Sequence, residues 1–167
     1  MTLIVDSLRI EVASVRLKKQ IDKWRDIMKS LFKFNKELCT ACGACLLACI
    51  DQNDNNIDNG ELFRHVFTIE EGESIEYFSL ACIHCDEPKC LDVCPKNCFK
   101  KEEGFVVLDN QNCIGCKLCE KACEYGALIY GMDGKANKCN GCVERYKCGM
   151  DSPCVMVCPT GALKFNK

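Results

Sequence analysis

Eighteen of the 167 residues are cysteine, and sixteen of them fall into four groups of four. Cys39, Cys42, Cys45 and Cys49 are spaced C-x-x-C-x-x-C-x-x-x-C, and Cys113, Cys116, Cys119 and Cys123 repeat that spacing. Cys82, Cys85, Cys90 and Cys94 lengthen the middle gap; Cys139, Cys142, Cys154 and Cys158 lengthen it further. A tight run of thiols with a remote fourth is the spacing that cages a cubane iron–sulfur cluster. Four groups predict four [4Fe-4S] clusters. The chemistry expected is the storage and passage of single electrons. Nothing else in the chain competes with it: there is no Gly-rich nucleotide loop, no Ser-His-Asp set and, with two histidines in all, no His-rich metal site. Cubanes with complete cysteine ligation leave no open iron for substrate, so the chain is expected to be no enzyme by itself.

Two other uses of so much cysteine fit the sequence less well. Small secreted domains are stapled by disulfides. Here Met1 to Asp6 shows no basic stretch leading into an apolar run, so no signal peptide is expected. Cysteines separated by two residues also favour a shared metal over a disulfide. Zinc uses paired C-x-x-C elements, but it gives no reason for three thiols at three-residue steps. Unpaired thiols and air-sensitive clusters suit a reducing, anaerobic cytoplasm, and no segment approaches the roughly 20 apolar residues of a membrane span.

The formal charge of −2 counts every cysteine as neutral. Cluster ligands are thiolates, so each oxidised cubane contributes about −2 and the loaded protein reaches about −10. This is no nucleic-acid-binding balance. Residues 1–37 carry nine Lys or Arg against five Asp or Glu, and the remainder 13 against 19. A basic arm precedes an acidic body.

Elements must position the thiols. Leu17, Ile21, Trp24, Met28 and Leu31 recur at helical steps and predict an amphipathic helix over 14–34, with Ser14 as its N-cap. Residues 3–12 fit a strand or an extension of that helix. Leu62 to Ile69 and Ser74 to Phe78 predict a hairpin turning at Glu70 to Glu73, and a second is expected around Glu102-Glu103-Gly104, with Phe105 to Leu108 as its return strand. Each triplet is expected on a loop, and each fourth cysteine at the opening of a short helix. Gly43, Ala44, Gly115 and Gly141 allow backbone to approach a cluster closely. The first and third groups are near copies and Cys94-Pro95 recurs as Cys158-Pro159, so two dicluster units are expected. A large conventional core is not, because the clusters fill the interior.

At these residues the chain resembles the four-cluster iron–sulfur subunits of the dimethyl sulfoxide reductase and formate dehydrogenase type. CIHCDEPKCLDVCP and KCNGCVERYKCGMDSPCVMVCPTGAL carry the likeness, including His84, Pro88 and the closing CPTGA. It covers about residues 38–165. The resemblance implies crossed ligation. Cys39, Cys42 and Cys45 bind one cluster, completed by Cys158. Cys139, Cys142 and Cys154 bind a second, completed by Cys49. Cys82, Cys85 and Cys90 bind a third, completed by Cys123. Cys113, Cys116 and Cys119 bind the fourth, completed by Cys94. It implies an α+β, loop-rich fold of two bacterial-ferredoxin-like dicluster units, one inserted in the other. An inner half, 75–130, sits within an outer half of 38–60 and 131–167, and residues 1–37 form an N-terminal amphipathic helical arm.

The same resemblance implies an electron-transfer subunit serving a large catalytic chain, most simply a molybdenum or tungsten pyranopterin oxidoreductase. Ferredoxin, a flavin subunit or a further copy of the chain would be the second electron partner. A hydrogenase or carbon monoxide dehydrogenase subunit and a free-standing polyferredoxin are the alternatives; the apolar arm speaks against free diffusion. Cys123 is followed by Glu124, where the family often has proline, so a negative charge is expected beside one cluster. Cys98 reads as a buried apolar filler, Cys148 as a spare thiol less suited than Cys154 to be a third ligand, His84 as packing and His65 as a hairpin residue.

Overall fold

The structure, a computed structural model, describes residues 31–55, 58, 61–71 and 73–165. It opens on strand β1 (Phe32–Phe34) and a 3-10 turn (Lys36–Leu38), then helix α1 (Ala44–Asn53). Strands β2 (His65–Glu71) and β3 (Ser74–Leu80) form the first hairpin. Helix α2 (Lys89–Asp92), strands β4 (Phe99–Glu102) and β5 (Phe105–Leu108), helix α3 (Leu118–Ala122) and strands β6 (Ile129–Tyr130) and β7 (Ala136–Asn137) follow. Helices α4 (Val143–Lys147) and α5 (Pro153–Met156) and strand β8 (Leu163–Phe165) complete the order.

Among the described residues the strands make two-stranded antiparallel sheets: β1 with β8, β2 with β3, β4 with β5 and β6 with β7. The β1–β8 pairing joins the two ends of the described chain, with Phe32 opposite Phe165 and Phe34 opposite Leu163. Both predicted hairpins are present. At the second, Glu103 and Gly104 both take positive φ between the paired Glu102 and Phe105. That is the two-residue turn whose twist matches flanking strands.

The predicted helix over 14–34 fails at its C-terminal end. Residues 32–34 are strand, because Phe32 stacks on Phe165 across the sheet at 4.7 Å and buries its ring there. Leu31 is a bend; residues 14–30 of that prediction, with its Ser14 cap, and the reading of residues 3–12 lie outside the described residues.

Apolar packing is divided into small clusters. Phe67, Ile69 and Phe78 fill the β2–β3 hairpin, with Phe34 and Leu80 against them. Phe32, Phe105, Val143, Cys154 and Leu163 form a second cluster, and Cys98, Phe99, Val106, Cys119, Leu128 and Ala136 a third. Cysteines belong to two of the three. No helix among the described residues is long and apolar enough to cross a membrane.

Candidate iron–sulfur sites

One local device recurs at each cysteine group. The residue before the second cysteine has positive φ in every case: Ala41 at 52°, His84 at 53°, Gly115 at 66° and Gly141 at 71°. This left-handed residue turns the backbone sharply between the first and second thiols of its group. Alanine and histidine pay for the conformation in strain, which persists only where the surroundings fix it. At Gly141 a Cβ would fall 2.1 Å from Phe105 Cδ1, and at Gly115 2.6 Å from the Gly134 carbonyl oxygen.

The third cysteine is the second residue of a helix in all four groups: Cys45 in α1, Cys90 in α2, Cys119 in α3 and Cys154 in α5. The fourth follows four residues later, inside α1 for Cys49 and at or just past the helix end for Cys94, Cys123 and Cys158. The fourth cysteine therefore closes its helical turn and does not open one, contrary to the sequence expectation. Proline after Cys94 and Cys158 cannot continue a helix through its missing N–H, so the turn lies on the N-terminal side. Residues i and i+4 share one helix face, about 6 Å apart along the axis. α1 packs on α5, and α2 on α3.

Thiols of different groups meet. Cys39 lies within electrostatic reach of Cys45, Cys158 and Cys42, and burial pushes it up. Cys39, Cys42, Cys45 and Cys158 line one hollow. Cys49 has Cys139, Cys154 and Cys142 beside it, and burial pushes it up to about 12. Cys90 neighbours Cys82, Cys123 and Cys85, and burial pushes it too up to about 12. Cys94, Cys113, Cys116 and Cys119 line another hollow. These four neighbourhoods are termed the first to fourth sets below. Cys139 also reaches Cys82, so the second and third sets adjoin.

The donor set fits cubane clusters. Among the described residues no three thiols, imidazoles or carboxylates converge to the spacing that a single metal ion requires. Ligands of a cubane each hold a different iron and stand further apart. Backbone N–H groups point at the sulfurs: Cys98 donates to Cys94 Sγ at 3.4 Å, Ala127 to Cys123 Sγ at 3.5 Å, Ala136 to Cys113 Sγ at 3.4 Å and Gly141 to Cys139 Sγ at 3.3 Å. Burial acts to raise Cys94 and Cys158, but the N–H groups folded around each hold both thiols below their ordinary value. Hydrogen bonds that favour the thiolate are what a cluster ligand needs.

Two buried cations stand among the thiols, and sequence reasoning missed both. Arg64 is 2% exposed; its Nη1 donates to Ser79 Oγ at 2.9 Å and its Nη2 approaches Cys154 Sγ at 3.6 Å. Burial acts to lower its pKa, yet Cys154, Cys139, Cys45 and Cys49 carry the net shift upward. Its Nε is buried without a hydrogen-bond partner among the described residues. An orphan donor of this kind costs about 1–3 kcal/mol, and the sulfurs of a bound cluster would supply its acceptor. Lys138 is 3% exposed, and its Nζ donates to the Val106 and Cys139 carbonyls. Arg64 lies outside the cysteine motifs and Lys138 only borders one, directly before Cys139; burial separates both from the other described Lys and Arg.

His84 is buried, accepts the Val106 N–H at Nδ1 and packs edge-on against Phe105. Burial, then the Lys138 charge, holds it well below the ordinary imidazole value. Its Nε2 faces Cys139 Sγ at 3.9 Å. His65 opens β2 and is exposed. Cys98 is buried against the fourth set, and Cys148 is exposed. Glu124 does stand near Cys85, but its carboxylate is paired with Lys89, so the negative charge expected there is offset.

Residues 73–167 match the model of the 4Fe-4S dicluster domain. The chain belongs to that family. It is an iron–sulfur electron-transfer protein with a ferredoxin-like domain of mixed helices and small strands, and it is not a catalytic chain. It is 38% identical over 149 residues to the probable anaerobic dimethyl sulfoxide reductase chain YnfG of Escherichia coli K12, covering 81% of this chain and 72% of that one. The thiosulfate reductase electron transfer subunit PhsB of Salmonella typhi is 32% identical over 140 residues, with 80% and 73% covered. A tetrathionate reductase subunit of Salmonella typhimurium is 33% identical over 130 residues, with 74% and 52% covered.

Proposed function

We propose that the chain is the electron-transfer subunit of a larger oxidoreductase, with four [4Fe-4S] clusters held by the four sets of thiols. Cys39, Cys42, Cys45 and Cys158 hold the first. Cys49, Cys139, Cys142 and Cys154 hold the second. Cys82, Cys85, Cys90 and Cys123 hold the third. Cys94, Cys113, Cys116 and Cys119 hold the fourth. When bound, the clusters supply one-electron redox chemistry. The observation that carries this reading is the meeting of each triplet with a fourth thiol from another group.

The protein's own part is spacing, burial and hydrogen bonding. Each third and fourth cysteine on one helical turn serve adjacent clusters, which fixes the separation between them. The helix pair α1–α5 joins the first and second sets; α2–α3 joins the third and fourth. The sets form a row in the order first, second, third, fourth. Cys42 and Cys116, both exposed, belong to the sets at its two ends, where partners approach.

The insertion of one dicluster half within another has support in the β1–β8 pairing, which closes the chain around everything between. β1 and the β2–β3 hairpin go with the outer half, which moves the start of the inner half from 75 to beyond Leu80, because Phe34 packs with both β8 and the hairpin. The named relatives are chains or subunits of reductases, which favours a catalytic oxidoreductase chain as one partner. That this partner is a molybdenum or tungsten enzyme, that ferredoxin, a flavin subunit or another copy is the second partner, and that the complex is cytoplasmic follow from the resemblance in the sequence.

Two measurements test the reading. Iron and acid-labile sulfide of anaerobically purified protein should give about sixteen iron atoms per chain; zinc without visible absorption overturns it. Native mass in anaerobic extract should place the chain in a complex. A free species of 18.8 kDa overturns the subunit role.

A further inference from the structure

Arg64 sits between two sets of thiols. On one side its Nη1 donates to Ser79 Oγ at 2.9 Å, and Ser79 Oγ lies 3.1 Å from Cys45 Sγ of the first set. With Cys45 as a thiolate, the serine hydroxyl is the donor and passes the guanidinium's polarity to that sulfur. On the other side Nη2 points at Cys154 Sγ of the second set at 3.6 Å. Ser79 is itself buried, and Arg64 takes no part in any salt bridge with an Asp or Glu among the described residues. A buried charge is tolerated only when paired. Among the described residues its anionic partners are thiolates of two different sets. Arginine keeps its proton even when buried, so this charge stays in place whatever the redox state.

We infer that Arg64, linked through Ser79, is a fixed countercharge shared by the first and second clusters, and that it holds both reduction potentials above those of the same clusters without it. One-electron reduction adds one negative charge to a cluster. A permanent cation buried at that place lowers the cost of the added charge, and it acts on both clusters because it touches a ligand of one and, through a hydroxyl, a ligand of the other. The third and fourth sets lie beyond its hydrogen-bond reach. Arg64 is therefore a tuning residue for one half of the relay. The inference rests on the ligand sets proposed above.

The experiment is an EPR-monitored redox titration of anaerobically purified wild type, R64K, R64Q and R64M, each with iron and sulfide counted first. Sixteen iron atoms in the wild type keeps the ligand reading; a lower count with only two clusters defeats that reading, and the inference with it. In R64Q or R64M loaded like the wild type, two of the four potentials should fall at least tenfold in the one-electron equilibrium, about 59 mV. The other two should stay, and R64K should stay close to wild type throughout. Unchanged potentials, or four equal shifts, overturn the inference while leaving the ligand sets intact. If both neutral variants lose the first two clusters, R64K decides. Loading restored by lysine supports a charge requirement, and loss in R64K as well shows that arginine's shape is what matters and overturns it.

Discussion

Cys98 illustrates how a buried thiol next to a cluster site can be dispensable. Its side chain also contacts Cys94 Sγ, but the larger contribution comes from its backbone N–H, which donates to that sulfur. Cys98→Ala keeps that donor and removes one sulfur from a tight pocket, costing about 1 kcal/mol or less. All four clusters should survive, with the iron count and EPR signals of the wild type. Gly141→Ala should behave otherwise. Its φ of +71° disfavours any side chain, and Phe105, fully buried, blocks the Cβ. Overpacking costs about 1–3 kcal/mol, and the left-handed backbone adds about 1 kcal/mol. The variant should lose the cluster of the second set on mild heating while the third and fourth persist, followed by absorbance and EPR. The residue scale is also where sequence reading reached its limit. Sixteen thiols announce themselves by spacing along the chain. Gly115 and Gly141 hint at left-handed backbone, whereas Ala41 and His84 take the same conformation with no compositional sign of it. Arg64 lies in no motif and Lys138 stands only as the neighbour of Cys139; what distinguishes both is the absence of water around them.

Among elements, the short helices matter most. A turn that carries Cys119 and Cys123 on one face serves two neighbouring sets. Cys123→Ala should then damage the cluster near Cys82, Cys85 and Cys90, and spare the one whose triplet is closest to it in sequence. Selective loss of the other signal would show that ligation is local and not crossed. The hairpins were legible because alternating apolar residues flank turn residues, as at Glu103-Gly104. The direction of the short helices was not, since a cysteine followed by proline looks like either end of a helix until its partners are known. Strand β1 was hidden for another reason: three residues, Phe-Lys-Phe, continue a helical pattern as well as they begin an alternating one. The partner that decides the matter, β8, lies more than a hundred residues downstream.

For the molecule as a whole, the ionic balance depends on its cargo. The bare sequence has a pI near 5.8. With four clusters its charge moves from −2 to about −10, so the loaded protein should focus at distinctly lower pH than the stripped one in anaerobic isoelectric focusing. Equal positions would contradict the four-cluster loading. The architecture was legible in outline, since groups repeated in order imply paired units, but how the halves close on one another required three-dimensional pairing. That pairing also bears on biogenesis. β1 is made early, and its strand partner among the described residues, β8, is made last of the described strands. A ribosome must translate nearly everything in between before the first strand can find its mate. Sulfurs made before the hairpins thus wait, open to solvent and vulnerable to oxygen, until β8 has emerged. Maturation of the earliest-made thiols is therefore expected to come late in synthesis or afterwards, or under the shelter of a chaperone.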